Sequence, residues 1–251
     1  MNETPLTPPP LPSPRPSTAP SPGDTPSPAQ LDGVLGTTES LLRNPARIVQ
    51  RARDGSTGRV LLHLGAILLP GALGYGLVVG AFSGGTQLWA APLKVAAGLV
   101  LSGLICLPSL YIFGCLTGST ARLRDVLSLV SGLLALVTVL LLGFAPVAWV
   151  FSQSTQSLVA MGVVHLLFWM TASLFGLRFL SAGFRQLEGR STGVLRLWML
   201  LYLIVGLQMT TTLRPLIGTS DRFLPTEKRF FLSHWSHCLR APETAETPRS
   251  P

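Results

Sequence analysis

Five long apolar runs constrain this chain more than any other feature; they lie at 60–81, 92–116, 126–151, 158–180 and 197–217. Each matches or exceeds the roughly 20 residues that carry a helix across about 30 Å of hydrocarbon. Lipid cannot satisfy open backbone N–H and C=O groups, and the runs lack the apolar–polar alternation of barrel strands, so they are read as helices. Only 12% of the 251 residues are charged, too few to cover a water-soluble globule of that length. The expected fold class is an all-α transmembrane bundle of about five membrane-spanning helices, at 59–218. A disordered Pro-rich N-terminal tail is expected at 1–40, a basic juxtamembrane helix at 41–58 and a C-terminal tail at 219–251.

The formal charge of +8 is distributed between the runs, with no dense stripe interleaved with aromatics. That distribution argues against nucleic acid as a partner and reads as a topology signal. Arg43, Arg47, Arg51, Arg53 and Arg59 precede the first run, Arg122 and Arg124 separate the second from the third, and Arg178, Arg185, Arg190 and Arg196 surround the fourth junction. The connections at 82–91 and 152–157 carry no charge. The positive-inside rule then places the N-terminus in the cytoplasm, the chain in the cytoplasmic (inner) membrane and, after an odd number of crossings, the C-terminus outside. Arg222, Lys228, Arg229 and Arg240 in the C-terminal tail pull the other way. With no signal-peptide-like run ahead of it, the first crossing is expected to act as an uncleaved targeting element.

Over residues 1–30 proline recurs at nearly every second or third position, as at Pro8, Pro9, Pro10, Pro12, Pro14 and Pro16. Such a segment favours polyproline II and cannot bury a core. It offers a protein partner a ligand for an SH3-like groove, although a solvated spacer is the simpler reading. Between 41 and 55 the sequence carries helix punctuation: Asn44 suits a cap, Pro45 the first turn and Gly55 the exit. On that helix Arg43, Arg47 and Arg51 fall every four residues and form one basic stripe, with Ile48, Val49 and Ala52 on an apolar face. The expected contact is anionic lipid at the cytoplasmic face, worth on the order of 1 kcal/mol per basic residue. A solvated basic linker is the plainer alternative.

All eleven acidic residues lie outside the apolar interiors. Ion-coupled transporters usually hold a carboxylate in the membrane, and intramembrane hydrolases need a nucleophile beside a base or a metal motif. Neither pattern occurs, so no catalytic, cofactor or metal site is expected and the chain is read as a non-enzyme. The intramembrane polar residues are His165 and Gln208, expected at similar depth and within reach of each other, together with Lys94 and Arg214, expected to snorkel to the outer interface. A gated polar site opening outward, lined also by Thr210, Thr211 and Thr212, is the sharper reading; mutual satisfaction inside the bundle is the plainer one. Gly76, Gly80 and Gly84 recur every four residues on the first run, and Gly98, Ser102 and Cys106 on the second, which predicts close packing of those two helices. Pro70 and Pro108 fall at similar depths in the cytoplasmic half. Cys106 and Cys115 share one run on roughly opposite faces, and Cys238 stands apart, so no disulfide framework follows. The aromatic and charged segment at 227–235 reads as interfacial, and the nearby His234, His237 and Cys238 lack a fourth metal donor.

The arrangement of basic tail, Asn-Pro helix start and five crossings resembles the bacterial branch of the Yip (Ypt-interacting protein) membrane family in architecture. A closer resemblance, over roughly 41–235, is to an uncharacterised bacterial five-helix integral membrane family. It is carried by Gly80-Ala81-Phe82-Ser83-Gly84 with Gln87 and Lys94, by Ile105-Cys106-Leu107-Pro108-Ser109-Leu110-Tyr111, by Phe144-Ala145-Pro146, and by Gly206-Leu207-Gln208 with Leu213-Arg214-Pro215-Leu216-Ile217-Gly218. The resemblance implies fold and location and brings no activity with it. The expected role is a membrane-organising or partner-recruiting component; the alternative is a small-solute channel or permease subunit.

Overall fold

In the computed structural model the described residues are 33–43, 45–116, 118, 121–155, 157–188 and 193–212. They form seven α-helices: α1 (Val34–Arg43), α2 (Pro45–Arg51), α3 (Thr57–Ser83), α4 (Gln87–Leu116), α5 (Leu123–Ser154), α6 (Leu158–Glu188) and α7 (Gly193–Thr212). A single π-helical turn, Ala52–Ser56, joins α2 to α3. Among the described residues there is no strand, and five helices are long and apolar enough to cross a membrane. The chain is a multi-pass helical membrane protein. Residues 1–32 of the Pro-rich tail, Arg190, Arg214 and the C-terminal tail at 219–251 lie outside the described residues.

Successive crossings run antiparallel, which gathers the arginine-bearing helix ends at one end of the bundle and the charge-free turns at the other. The turn between α3 and α4 passes through Gly84 and Gly85, with φ of +64° and +55°, values that a side chain rarely tolerates. Gly84 therefore serves the turn. It was expected to pack against the second crossing, but a Cβ there would meet open space. At the other end Asp125 sits in the first turn of α5, accepts the Arg122 backbone N–H at 3.0 Å and favours the positive pole of the helix.

Small residues set the helix contacts, as they must where lipid is as apolar as leucine. A Cβ on Gly76 would strike the backbone of Pro92, and one on Gly80 would sit 2.6 Å from the Gln87 carbonyl, so α3 and α4 touch backbone to backbone near the charge-free turn. The expected packing through Gly76 and Gly80 is observed. On α4 the Ser102 hydroxyl is buried and donates to the Gly98 carbonyl of its own helix at 2.7 Å, while Gly103 receives Leu134 of α5. Gly71 meets Thr138, and Gly132 and Gly176 seat Phe179 and Val137, so α5 is wedged between α3 and α6. The α7 helix packs on α4 through Trp198, whose fully buried indole N–H lies 3.0 Å from the Cys106 carbonyl and 3.1 Å from Ser109 Oγ. Exposed Leu62, Leu104, Val150 and Leu167 face outward, as lipid contacts do. Trp89, 82% exposed, joins Trp149 and Phe151 at the charge-free end in the positions of an interfacial aromatic belt.

The N-terminal elements depart most from expectation. Residues 34–40, expected in the disordered tail, belong to α1, because Thr37, Ser40 and Leu41 form a buried face. Leu41 is 1% exposed and reaches Gly132 of α5 beside Phe179 of α6. The expected single helix at 41–58 is instead the end of α1, then α2, then the π-helical turn and the start of α3. Pro45 opens α2; it has no N–H to bond backwards and disfavours a helical residue before it, so the helix cannot run through. Gly55 is left-handed at φ +88°, yet it bends the chain into α3 and does not end the helical path.

Candidate functional site

Four side chains from two helices converge at the arginine-bearing end. Arg47 and Arg51 are one turn apart on α2, and Arg59 and His63 are one turn apart at the start of α3. The left-handed Gly55 folds the two helices against each other. Between them lies a cavity of about 310 Å³, lined by these four residues with Thr37, Ile48, Asp54, Ser56 and Val60. Three guanidinium groups and one carboxylate stand on its walls.

Of the expected lipid-contact stripe, Arg47 and Arg51 belong to this cavity and Arg43 does not. Arg43 closes α1, lies outside the cavity wall and pairs with Glu39 at 3.3 Å on an exposed surface. The break at Pro45 changes the rotational register between α1 and α2, so spacing by four residues across it no longer means a shared face. Arg53 instead turns toward α5, with its Nε 4.0 Å from Asp125 Oδ2. Asp125 is 4% exposed, and this contact ties the π-helical turn to the bundle.

Hydrogen counting fixes His63. The Thr37 hydroxyl donates to the Gly33 carbonyl at 2.9 Å, so in its 3.4 Å contact with His63 it accepts from the Nδ1–H. His63 therefore carries a hydrogen on Nδ1. Ser56 likewise spends its hydroxyl hydrogen on the Arg51 carbonyl at 2.8 Å. The arginines of the cavity are permanently charged donors.

A second polar group lies inside the bundle. Tyr75 of α3 and His165 of α6 are 2.7 Å apart through Oη and Nδ1, with their rings edge to face at 83°. Tyr75 has no other acceptor among the described residues, so its hydroxyl donates to Nδ1 and places the ring hydrogen on Nε2. That N–H is buried without a hydrogen-bond partner. The expected pairing of His165 with Gln208 does not form. The α7 helix leans on α4, and His165 looks toward α3; Gln208 engages another partner.

Lys94, expected to snorkel outward, is 1% exposed. It follows Ala91 by three residues and so shares the α4 face that abuts Gly76; a lysine needs a lipid-facing stem to snorkel. Of the three threonines expected along an outward path, Thr210 spends its hydroxyl on the Leu207 carbonyl at 2.6 Å. No group of metal-ligating side chains gathers among the described residues.

Sequence reasoning missed Thr37, His63 and Tyr75 as functional candidates and read Arg59 only as a topology signal. A signal for two of them exists: Arg59 and His63 repeat the four-residue spacing of Arg47 and Arg51 beyond a glycine hinge. Tyr75 carried none, since one tyrosine in an apolar run is ordinary.

Compared with protein-family models, with curated proteins and with solved structures, the chain matches none.

Proposed function

We propose that this protein is a non-catalytic component of the cytoplasmic membrane that gathers anionic lipid at the inner leaflet and displays its Pro-rich tail there for a protein partner. One observation carries the reading: Arg47, Arg51, Arg59 and His63 converge on one cavity at the arginine-bearing end. A guanidinium fork matches phosphate oxygens, and the inner leaflet supplies the anion. Burial of Leu41 and Ile48 fixes α1 and α2 on the bundle. The five-helix architecture and the charge-free opposite end fit a Yip-like membrane component with its N-terminus inside.

The test is lipid co-purification. Full-length protein reconstituted in mixed phosphatidylcholine and phosphatidylglycerol nanodiscs is expected to enrich the anionic lipid in its annulus. The R47A/R51A/R59A variant should lose that enrichment, and equal enrichment in both proteins would overturn the reading.

A second reading, a small-solute channel or permease subunit, is favoured by the burial of Lys94 and of the Tyr75–His165 pair within the crossings. Buried polar groups in lipid are costly and often mark a path. Unchanged solute flux in vesicles bearing H165A/Q208A would remove it.

A further inference from the structure

We infer that α1 is an in-plane membrane helix, whose apolar face of Val34, Leu35 and Leu42 docks into the acyl boundary of the leaflet at the arginine-bearing end. The occupant of that face is lipid. The inference stands apart from the anion cavity, because it concerns the side of α1 turned away from Thr37.

The 3.6-residue helical period sets Val34, Leu35, Leu41 and Leu42 within about 120° of arc, with Glu39 and Arg43 beyond it. A helix apolar along one side and charged along the other is built for an interface. Leu41 spends its share of the arc on the bundle, buried at Gly132 beside Phe179. Among the described residues nothing covers the rest: Leu35 is 86% exposed, Leu42 53% and Val34 40%. Thr38 is the one polar side chain within the arc, and its hydroxyl donates to the Val34 carbonyl of the same helix at 2.9 Å. It returns its hydrogen to the backbone, as hydrocarbon requires of a donor.

Depth decides between lipid and water. An exposed leucine is ordinary on a soluble surface, but α1 does not lie beyond the crossings. Leu41 reaches α5 at Gly132, seventeen residues from Trp149 of the aromatic belt, about 25 Å along a helix rising 1.5 Å per residue. Thr37 touches α3 at His63, twenty residues from Ser83 at the charge-free turn, about 30 Å by the same measure. Hydrocarbon is about 30 Å thick, so both contacts fall at its edge on the arginine-bearing side. Within one turn α1 passes from α3 to α5 and α6, so it runs across the crossings and not along any of them. Leu62, next to His63 on α3, is 70% exposed on the lipid-facing surface, and the open leucines of α1 continue that surface. Glu39 and Arg43, exposed and paired at 3.3 Å, take the side toward water.

The test is collision-probe electron paramagnetic resonance on the full-length protein in nanodiscs of phosphatidylcholine and phosphatidylglycerol. Buried Cys106 is kept, Cys115 and Cys238 are replaced by alanine, and a nitroxide is attached in turn to Leu35→Cys, Leu42→Cys, Glu39→Cys and Arg43→Cys. At 35 and 42, collisions with oxygen, which concentrates among acyl chains, should exceed those with a water-soluble nickel chelate. At 39 and 43 the order should reverse, and a reversal within one helix also reports that α1 is folded. Nickel collisions dominating at all four positions, or no difference among them, would put the face in water and overturn the inference. Labels at 35 and 42 screened from both reagents would assign the face to protein, either the Pro-rich segment or a second copy, and overturn it equally. Each outcome leaves anionic-lipid enrichment by Arg47, Arg51 and Arg59 to its own measurement, so the two readings fail separately.

Discussion

His63 and His165 are wired alike and end in opposite states. Each ring touches a hydroxyl through Nδ1, at 3.4 Å for Thr37 and 2.7 Å for Tyr75. Thr37 has already given its hydrogen to the Gly33 carbonyl, so His63 must donate; Tyr75 has not, so it donates and His165 accepts. One ring therefore donates from Nδ1 beside a cation-lined cavity at the bundle's end. The other holds a buried N–H among tightly packed crossings. The difference lies in the neighbour's remaining hydrogen-bonding capacity, a property two contacts removed from the histidine itself.

The same contrast runs through the packing. Near the charge-free turn α3 and α4 are closed by backbone contact at Gly76 and Gly80, while at the open positions Gly55 and Gly58 in the arginine-bearing half an added Cβ meets nothing within 4 Å, as at Gly84 and Gly85 in the turn itself. Gly76→Val should break the closed contact, because neither Pro92 backbone nor α3 can yield. A loss of roughly 3 kcal/mol is expected for overpacking of this kind, read as a fall in melting temperature of the detergent-solubilised protein. Tyr75→Phe should cost about 1 kcal/mol on the same measurement by stripping the His165 acceptor of its only donor. A variant as stable as the parent would show that the two histidines are not distinguished by their hydroxyls. Gly58→Ala, at an open position, should stabilise by up to about 1 kcal/mol, since alanine favours the helix and nothing obstructs it. The smallest effect belongs to Arg43→Ala: its pair with Glu39 is exposed, and neither melting temperature nor anionic-lipid enrichment should move. Reduced enrichment in that variant would restore Arg43 to the lipid contact from which the break at Pro45 removes it.

Much of the frame is legible in the sequence. The apolar runs located every crossing, with ends off by a few residues: α4 begins at Gln87, ahead of the predicted 92, because Pro92 lies within its early turns and does not open it. Glycines at four-residue spacing correctly marked where α3 and α4 meet, but the last of the series was claimed by a turn. Spacing by four residues failed in the basic segment because it counts a face only while one helix continues, and Pro45 ends that condition. Lys94 and His165 show a further limit. Hydropathy places a polar residue at a depth, whereas its azimuth depends on which neighbour each helix chooses.

By itself the sequence determined that the chain crosses a bilayer as helices, because hydrocarbon leaves the backbone no other way to satisfy its hydrogen bonds, and it determined which ends carry the positive charge. Only the tertiary structure decided that Arg47 and Arg51 face Arg59 and His63 across a cavity, and that His165 takes Tyr75 and not Gln208. Those pairings follow from side-chain shapes meeting across helices distant in sequence and from where each hydroxyl sends its one hydrogen, quantities that no local pattern encodes.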